Sequence, residues 1–166
     1  MEFVPQAGAA FLLVTLTLLL QCGGLAVLVA WARRALAAEI QKLGPFRSAA
    51  LVMRFTTAGI VLNGLHIALW ASFYHWLCFP SWAPAVYFSA GSYSTVGAGD
   101  VALPPKWQML GPLESVVGVL MAGVQVGLLV ALILELVQRK ERLSHNEAIL
   151  HDETLSPIVR RPHAKY

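Results

Sequence analysis

The sequence predicts an all-α membrane protein that crosses the bilayer three times. Hydrophobic residues make up 57% of its 166 residues and charged residues only 13%, well below the roughly 25% charged share of soluble domains. Three apolar segments, residues 8–32, 55–77 and 109–137, are each long enough to supply the roughly 20 helical residues that a hydrocarbon core requires. An odd number of spans places the two termini on opposite sides of the membrane.

The first segment is interpreted as a retained transmembrane helix rather than a signal peptide. No basic residue precedes it, its apolar run is long, and no small-residue cleavage pattern stands out. Gly44 and Pro45 predict that a helical extension of this segment ends before the second segment begins. We therefore divide the chain into a peripheral helix with its cytoplasmic linker, a central part and a cytoplasmic tail, at residues 1–54, 55–137 and 138–166.

Basic residues are concentrated in the connection between the first two segments. Five of them lie there against a single acid, Glu39, whereas residues 78–108 contain only Lys106. Short loops rich in Lys and Arg stay in the cytoplasm. We therefore expect the N-terminus outside, the C-terminus in the cytoplasm, and the plasma (inner) membrane as the location. The net charge of +3 is explained by this topology and by anionic lipid headgroups, so nucleic acid is not an expected partner.

A short apolar segment, residues 84–94, is followed by TVGAGD at residues 95–100. The apolar segment is too short to span a bilayer, and we expect a re-entrant helix whose negative C-terminal end points toward the membrane interior. Unpaired carbonyls after it are costly against lipid but can replace the hydration shell of a cation. Gly97 and Gly99 permit the backbone conformations that this requires. One chain supplies too few oxygens, so several copies must surround a common axis.

The sequence YFSAGSYSTVGAGD, residues 87–100, resembles the pore helix and selectivity filter of the potassium channel pore-loop family, whose filter is usually TVGYGD. The resemblance extends over residues 55–137. It implies a bacterial-type two-span pore domain, with the first helix as an addition, assembled as a homotetramer. Membrane lipid and monovalent cations are the expected partners, and no cofactor is expected beyond the permeant ions. The filter residues that the resemblance implies, with carbonyl rings for potassium or sodium at the first four, are Thr95, Val96, Gly97, Ala98, Gly99 and Asp100.

The filter departs from the family pattern at Ala98, where an aromatic residue is usual. In the family that ring packs against aromatic residues of the pore helix and holds the filter at a fixed diameter; Tyr87 and Phe88 stand at the matching positions here. We expect a looser outer half of the filter, or bracing by Tyr93 or by a neighbouring subunit. Gly91 stands where some relatives carry an acid behind the filter, which removes another brace. Weak discrimination between potassium and sodium is the consequence.

The third segment has four glycines, at 111, 118, 123 and 127. They predict close helix packing, and the resemblance also implies a gating hinge at Gly123. Helical spacing below that hinge places one set of residues on a single face, which would line the pore and end in an acidic ring at the cytoplasmic entrance. This set is Val124, Leu128, Ala131 and Glu135. The alternative for Glu135 is an ordinary ion pair with Arg139 one helical turn away.

Several polar residues lie inside the predicted spans. Gln21, Asn63, His66 and Gln125 are expected to form hydrogen bonds between helices, which is a common role of polar residues in membranes. Gln125 facing a water-filled cavity is the alternative. Glu114 is expected near the outer vestibule.

The sequence therefore predicts a tetrameric cation channel, most simply one that conducts potassium. The alternative is a non-conducting structural or regulatory membrane subunit with a degenerate pore loop. A small transporter with a broken helix would predict inverted repeats, and none is visible. An enzyme is not expected, since no HExxH, GxSxG or phosphate-binding GxxxxGK motif occurs in the sequence.

Overall fold

The computed structural model describes residues 3–38 and 45–159, and these residues form four α-helices without any strand. The helices are α1 (Phe3–Ala38), α2 (Pro45–Leu77), α3 (Trp82–Tyr93) and α4 (Leu110–Val159), with a 3₁₀ turn at Pro105–Trp107. Three segments are long and apolar enough to cross a membrane: Val4–Arg34, Ser48–Leu77 and Pro105–Arg142. The predicted all-α membrane fold with three spans and a short helix between the last two is confirmed.

The helices extend beyond the predicted spans. Helix α2 begins at Pro45, in agreement with the predicted break there, because proline is preorganised for the first helical position; Gly44 lies outside the described residues. Helix α4 continues to Val159, well beyond residue 137, where the predicted span ends. Hydropathy marks only the part of a helix that lies in lipid, whereas Gln, Lys, Arg and Glu beyond it are good helix formers.

Helix α3 packs against α2 and α4, and the three meet in an aromatic cluster. Trp70, Tyr74 and Phe88 are buried there together with Leu13 of α1 and Leu110 of α4. The rings of Tyr74 and Phe88 meet edge to face at 5.1 Å between centroids, a favourable arrangement of aromatic rings. A second cluster joins the same three long helices at another level; it is formed by Ala32, Leu51, Phe55 and Leu132. The long helices are therefore packed together at two separate places along the bundle.

Helix α1 is attached to the bundle by polar contacts inside it. The indole N–H of Trp70 donates to the hydroxyl of Thr17 over 3.0 Å, and both side chains are fully buried. Other faces of α1 expose large apolar side chains, among them Phe11 at 77% and Val27 at 69% exposure. Such a distribution is expected of a helix surrounded by hydrocarbon rather than by water.

Candidate pore loop and ion-binding site

Specific residues determine where the short helix α3 begins and ends. Ser81 precedes it in an extended conformation, with φ −142° and ψ 162°, and Pro84 lies in its first turn, where a missing N–H costs nothing. At its other end the N–H of Thr95 donates to the carbonyl of Ser92 over 3.0 Å, and the N–H of Gly97 donates to the carbonyl of Gly91 over the same distance. The filter segment is thus tied directly to the C-terminal end of α3.

The backbone of the filter segment alternates in the sign of φ. Thr95, Gly97 and Gly99 have φ of 62°, 89° and 56°, whereas Val96 and Ala98 between them have negative values. Positive φ is uncommon outside glycine, so Thr95 stores strain of about 1–3 kcal/mol that the surrounding contacts must hold. Alternating left- and right-handed residues gather N–H groups on one side of the chain. Within each trans peptide the carbonyl points away from its own N–H.

The carbonyls of the predicted ion ligands do not all face the same way. The peptide N–H of Gly97 is bound to α3, so the Val96 carbonyl of that peptide points away from α3. The Gly97 oxygen instead lies 2.7 Å from the place where a side-chain carbon on Gly91 would stand, and so it turns toward α3. The Ala98 carbonyl accepts a hydrogen bond from the Val101 N–H over 3.0 Å. Of the four carbonyls from Thr95 to Ala98, that of Ala98 alone accepts a hydrogen bond from the described residues.

The side chains of the filter segment divide between surface and core. Thr95 and Asp100 are exposed, and Val96 is exposed to 85%. Ala98 is 9% exposed and belongs to the aromatic cluster, together with Leu103 and Trp107 of the following turn. The structure thus brings Ala98 close to aromatic residues from outside the pore helix, which the sequence did not indicate. Trp107 is fixed by an edge-to-face contact with Phe73, at 5.3 Å and 89°.

The structure shows a requirement for glycine at position 91 that the sequence did not predict. A side-chain carbon at this position would lie 2.7 Å from the oxygen of Gly97 and 3.2 Å from the nitrogen of Ala98. Both are backbone atoms, and such approaches are too short to be tolerated without a shift of the chain. Glycine therefore permits the filter segment to lie against α3. The sequence comparison noted only that Gly91 replaces an acid that some relatives carry here.

A family model described as "Ion channel" matches residues 51–135, just over half of the chain. The chain belongs to this ion channel family. The matched range begins within α2, includes α3 and the filter segment, and ends within α4, so α1 lies outside it. Together with the three apolar helices, the match identifies an integral membrane protein of the multi-pass type. No curated protein and no solved structure matches the chain.

Glu114 of the channel lies in the protein interior, so the predicted position near the outer vestibule is wrong. It is 0% exposed; its carboxyl group accepts a hydrogen bond from the Tyr74 hydroxyl at 2.8 Å, and its other oxygen lies within hydrogen-bond distance of Ser89 Oγ, at 2.5 Å. These two partners belong to α2 and α3. A single acid near the end of an apolar segment is indistinguishable from an interfacial residue in sequence, because its partners are distant along the chain.

The polar residues of the spans form one connected chain of hydrogen bonds. Gln125 of α4 donates to Asn63 of α2 at 3.0 Å and to Gln21 of α1 at 3.3 Å. The Tyr93 hydroxyl at the end of α3 donates to the same Asn63 oxygen at 3.1 Å and lies 3.0 Å from His66 Nδ1. The prediction of interhelical hydrogen bonds is confirmed. Tyr93, which we considered as a brace for Ala98, is committed to this network.

The inner helix α4 approaches α3 at two glycines. A side-chain carbon on Gly111 would lie 3.0 Å from Phe88 Cζ, and one on Gly118 would collide with the Tyr93 carbonyl oxygen. Around Gly123 and Gly127 there is open space within the chain, and α4 passes through both as one continuous helix. Close packing is therefore observed at the first two glycines.

The residues predicted to line the pore are distributed over the surface of α4. Val124, Ala131 and Glu135 are exposed, whereas Leu128 is half-buried against the second cluster. The Glu135 carboxylate forms an ion pair with Arg139 at 2.7 Å, as the alternative for this residue requires. Within the described residues no three His, Cys, Asp or Glu side chains form a metal site.

Proposed function

We propose that the chain is a subunit of a homotetrameric cation channel that conducts potassium, with weak discrimination against sodium. The observation that carries this proposal is the filter backbone: its φ alternates in sign from Thr95 to Gly99, and the N–H groups of Thr95 and Gly97 are bound to α3. The Val96 carbonyl is thereby directed away from α3. Carbonyl oxygens in this arrangement can take the place of water around a cation.

Several copies are needed to complete the site. One chain presents only a few oxygens, and a dehydrated monovalent cation needs more ligands than that. Val96, an apolar residue at 85% exposure beside these oxygens, also requires a covering surface, which neighbouring copies around a shared axis supply. We therefore place Thr95, Val96, Gly97 and Ala98 in rings around a four-fold axis, with Gly99 and Asp100 at the outer mouth.

The weak selectivity follows from the two outer carbonyls. The Gly97 oxygen turns toward α3 and the Ala98 oxygen is engaged by Val101, so both peptides must rotate before they contribute rings. The free energy of that rotation opposes ion binding in the outer half of the filter. The inner half, at Thr95 and Val96, then carries most of the ion coordination, and fewer carbonyl rings discriminate less between ions.

The remaining assignments belong to the same proposal. Residues 55–137 form the pore domain, residues 1–54 a peripheral helix with its linker, and residues 138–166 a cytoplasmic tail. The N-terminus is outside the plasma membrane and the C-terminus is inside. Gly123 is the gating hinge and Glu135 an entrance acid. The other pore-lining residues below the hinge are Val124, Leu128 and Ala131.

A second candidate function is a non-conducting membrane subunit of the same family. The hydrogen bond between Val101 N–H and the Ala98 carbonyl favours it, because a filter held in this turn has lost part of its ion site. In this case the bundle serves assembly or regulation rather than conduction.

Ion flux into liposomes separates the two candidates. The purified protein is reconstituted, and potassium and sodium flux are measured with and without barium. Gly97→Ala is the test variant, because its φ of 89° disfavours any side chain; Gly23→Ala, which meets open space, is the control. Barium-sensitive flux in the wild type and the control, lost in Gly97→Ala, supports the channel. Silent wild-type tetramers support the non-conducting subunit.

A further inference from the structure

Glu114 is a buried acid that the proposed mechanism has not used. Its side chain is 0% exposed, and its two oxygens contact Ser89 Oγ and the Tyr74 hydroxyl. Within the described part of the chain no Lys or Arg forms an ion pair with it. Tyr74 of α2 donates to it, and Tyr93 of α3 is close enough to interact with it electrostatically; neither side chain is basic. A carboxylate ion without a cationic partner is costly to bury.

The number of hydrogens available around Glu114 can be compared with the number of hydrogen-bond acceptors. Ser89 Oγ lies 2.5 Å from Glu114 and also 3.0 Å from the carbonyl of Ile67. A hydroxyl carries one hydrogen, and both a carbonyl and an ionised carboxylate are acceptors only. With Glu114 ionised, Ser89 has one hydrogen for two acceptors and one contact is left without a proton. With Glu114 protonated, the acid donates to Ser89, Ser89 donates to Ile67, and Tyr74 donates to the second oxygen of the acid.

We propose that Glu114 carries a proton in the folded channel and is, in this neutral form, the residue that positions the pore helix for ion conduction. It joins α4 to Ser89 on α3 and to Tyr74 on α2, and through Ser89 it is linked to the carbonyl of Ile67. Each of the three hydrogen bonds then has its own hydrogen. The inference rests on the proposed function, because the helix that Glu114 holds is the one that supports the filter.

The connection from Glu114 to the filter is short. The next residue, Ser115, donates to the carbonyl of Ser92 over 2.6 Å, so α4 holds α3 at two successive residues. The Ser92 carbonyl also accepts from the Thr95 N–H, and the neighbouring Gly91 carbonyl accepts from the Gly97 N–H. A displacement of α3 at Ser89 therefore moves the acceptors that orient the filter peptides. Glu114 itself touches no ion ligand and acts through this helix.

Glutamine and alanine at position 114 separate a neutral hydrogen-bonding role from a charged one. In Glu114→Gln the amide donates to Ser89 and its oxygen accepts from Tyr74, so all three contacts persist; in Glu114→Ala Tyr74 loses its acceptor. We expect potassium flux of Glu114→Gln to stay within about twofold of wild type. Flux of Glu114→Ala falls by about tenfold or more, as expected for a buried group left without its partner. Glu141→Gln, at an exposed position on the same helix, is the control.

Infrared spectroscopy reads the proton directly. A protonated carboxyl has a C=O stretch that a carboxylate lacks, so the wild-type minus Glu114→Gln spectrum at neutral pH shows this band and the wild-type minus Glu141→Gln spectrum does not. Absence of the band overturns the proposal, as does equal damage by glutamine and alanine in folded tetramers. If Glu114→Ala does not fold, Ser89→Ala serves in its place, with the same tenfold loss expected. If the wild-type protein shows the carboxyl band but no ion flux, the proposed conduction is refuted and the protonated state of Glu114 is not.

Discussion

The backbone N–H of Gly97 donates a hydrogen bond to the carbonyl of Gly91 over 3.0 Å, and this bond joins the predicted filter segment to α3. The same approach leaves no room for a side chain on Gly91, since its first carbon would lie 2.7 Å from the Gly97 oxygen. The position of the filter therefore depends on the residue at 91 as well as on the filter sequence itself.

Replacing Gly91 by alanine is expected to displace the filter. The added carbon meets only backbone atoms, which cannot rotate away as a side chain can, so the Gly97 hydrogen bond is lost. We expect potassium flux in liposomes to fall by about tenfold, the factor for one lost buried hydrogen bond. Gly64→Ala, at a helical position with open space around it, is the matched control. Wild-type flux in Gly91→Ala would show that the filter does not lie against α3.

We expect substitution of Gly118 to affect stability and substitution of Gly123 to affect gating. Alanine at 118 collides with the Tyr93 carbonyl and separates α4 from α3, at a cost of about 1–3 kcal/mol for overpacking. We expect Gly118→Ala tetramers to unfold at a lower temperature in detergent, whereas Gly123→Ala tetramers keep the wild-type value and change open probability in single-channel recordings. Gly127→Ala is the control for an open position. Unchanged gating in Gly123→Ala would remove the proposed hinge.

The ion pair between Glu135 and Arg139, at 2.7 Å, gives a test of the acidic entrance. If the carboxylates concentrate cations, Glu135→Gln lowers outward current at low ionic strength by about twofold or more, and Arg139→Gln raises it, because a local field acts on the ion supply. Both effects should fade at high salt, where the field is screened. Single-channel conductance measured over a range of salt concentrations checks this. If both variants keep wild-type conductance at every salt concentration, Glu135 does not act on the ion supply and forms only a surface ion pair with Arg139.

Ala98 occupies a space that is already filled. Its methyl group is buried in a cluster that also contains Phe88, Leu103 and Trp107, so the family's aromatic residue does not fit there without repacking. We expect Ala98→Tyr to lower the melting temperature of the tetramer, by an amount that corresponds to about 1–3 kcal/mol of overpacking. Ala102→Tyr, at an exposed position of the same loop, is the control. Equal melting temperatures would mean that the cluster has room for the ring.

The sequence predicts the helices of this channel better than it predicts the contacts between them. Hydropathy reveals three spans, because lipid imposes one requirement on every residue of a span. Glu114, Ser89 and Tyr74 were not recognised as a group, since they are brought together only by packing of three helices. Trp107 was missed for the same reason: nothing in the motif PPKW indicates that its ring lies beside Ala98.

Helix ends and the filter illustrate two other limits. The end of α4 depends on helix propensity outside the membrane, which hydropathy does not measure, so Val159 was not anticipated as its last residue. The filter residues are predicted from their spacing and their resemblance to a family, and that assignment stays a prediction. The direction of the Gly97 and Ala98 carbonyls could not be predicted, because a rotation of one peptide leaves the sequence pattern unchanged.

The hydrogen bond from Trp70 to Thr17 has a consequence for biogenesis. The family match begins at residue 51, yet the indole N–H inside the matched region finds its acceptor on α1, which is made earlier on the ribosome. When the second span leaves the translocon, that acceptor is already in the bilayer. A shortened chain that starts at Pro45 would leave the Trp70 indole N–H without this acceptor, so the second span depends on the first for a satisfied hydrogen bond inside the bilayer.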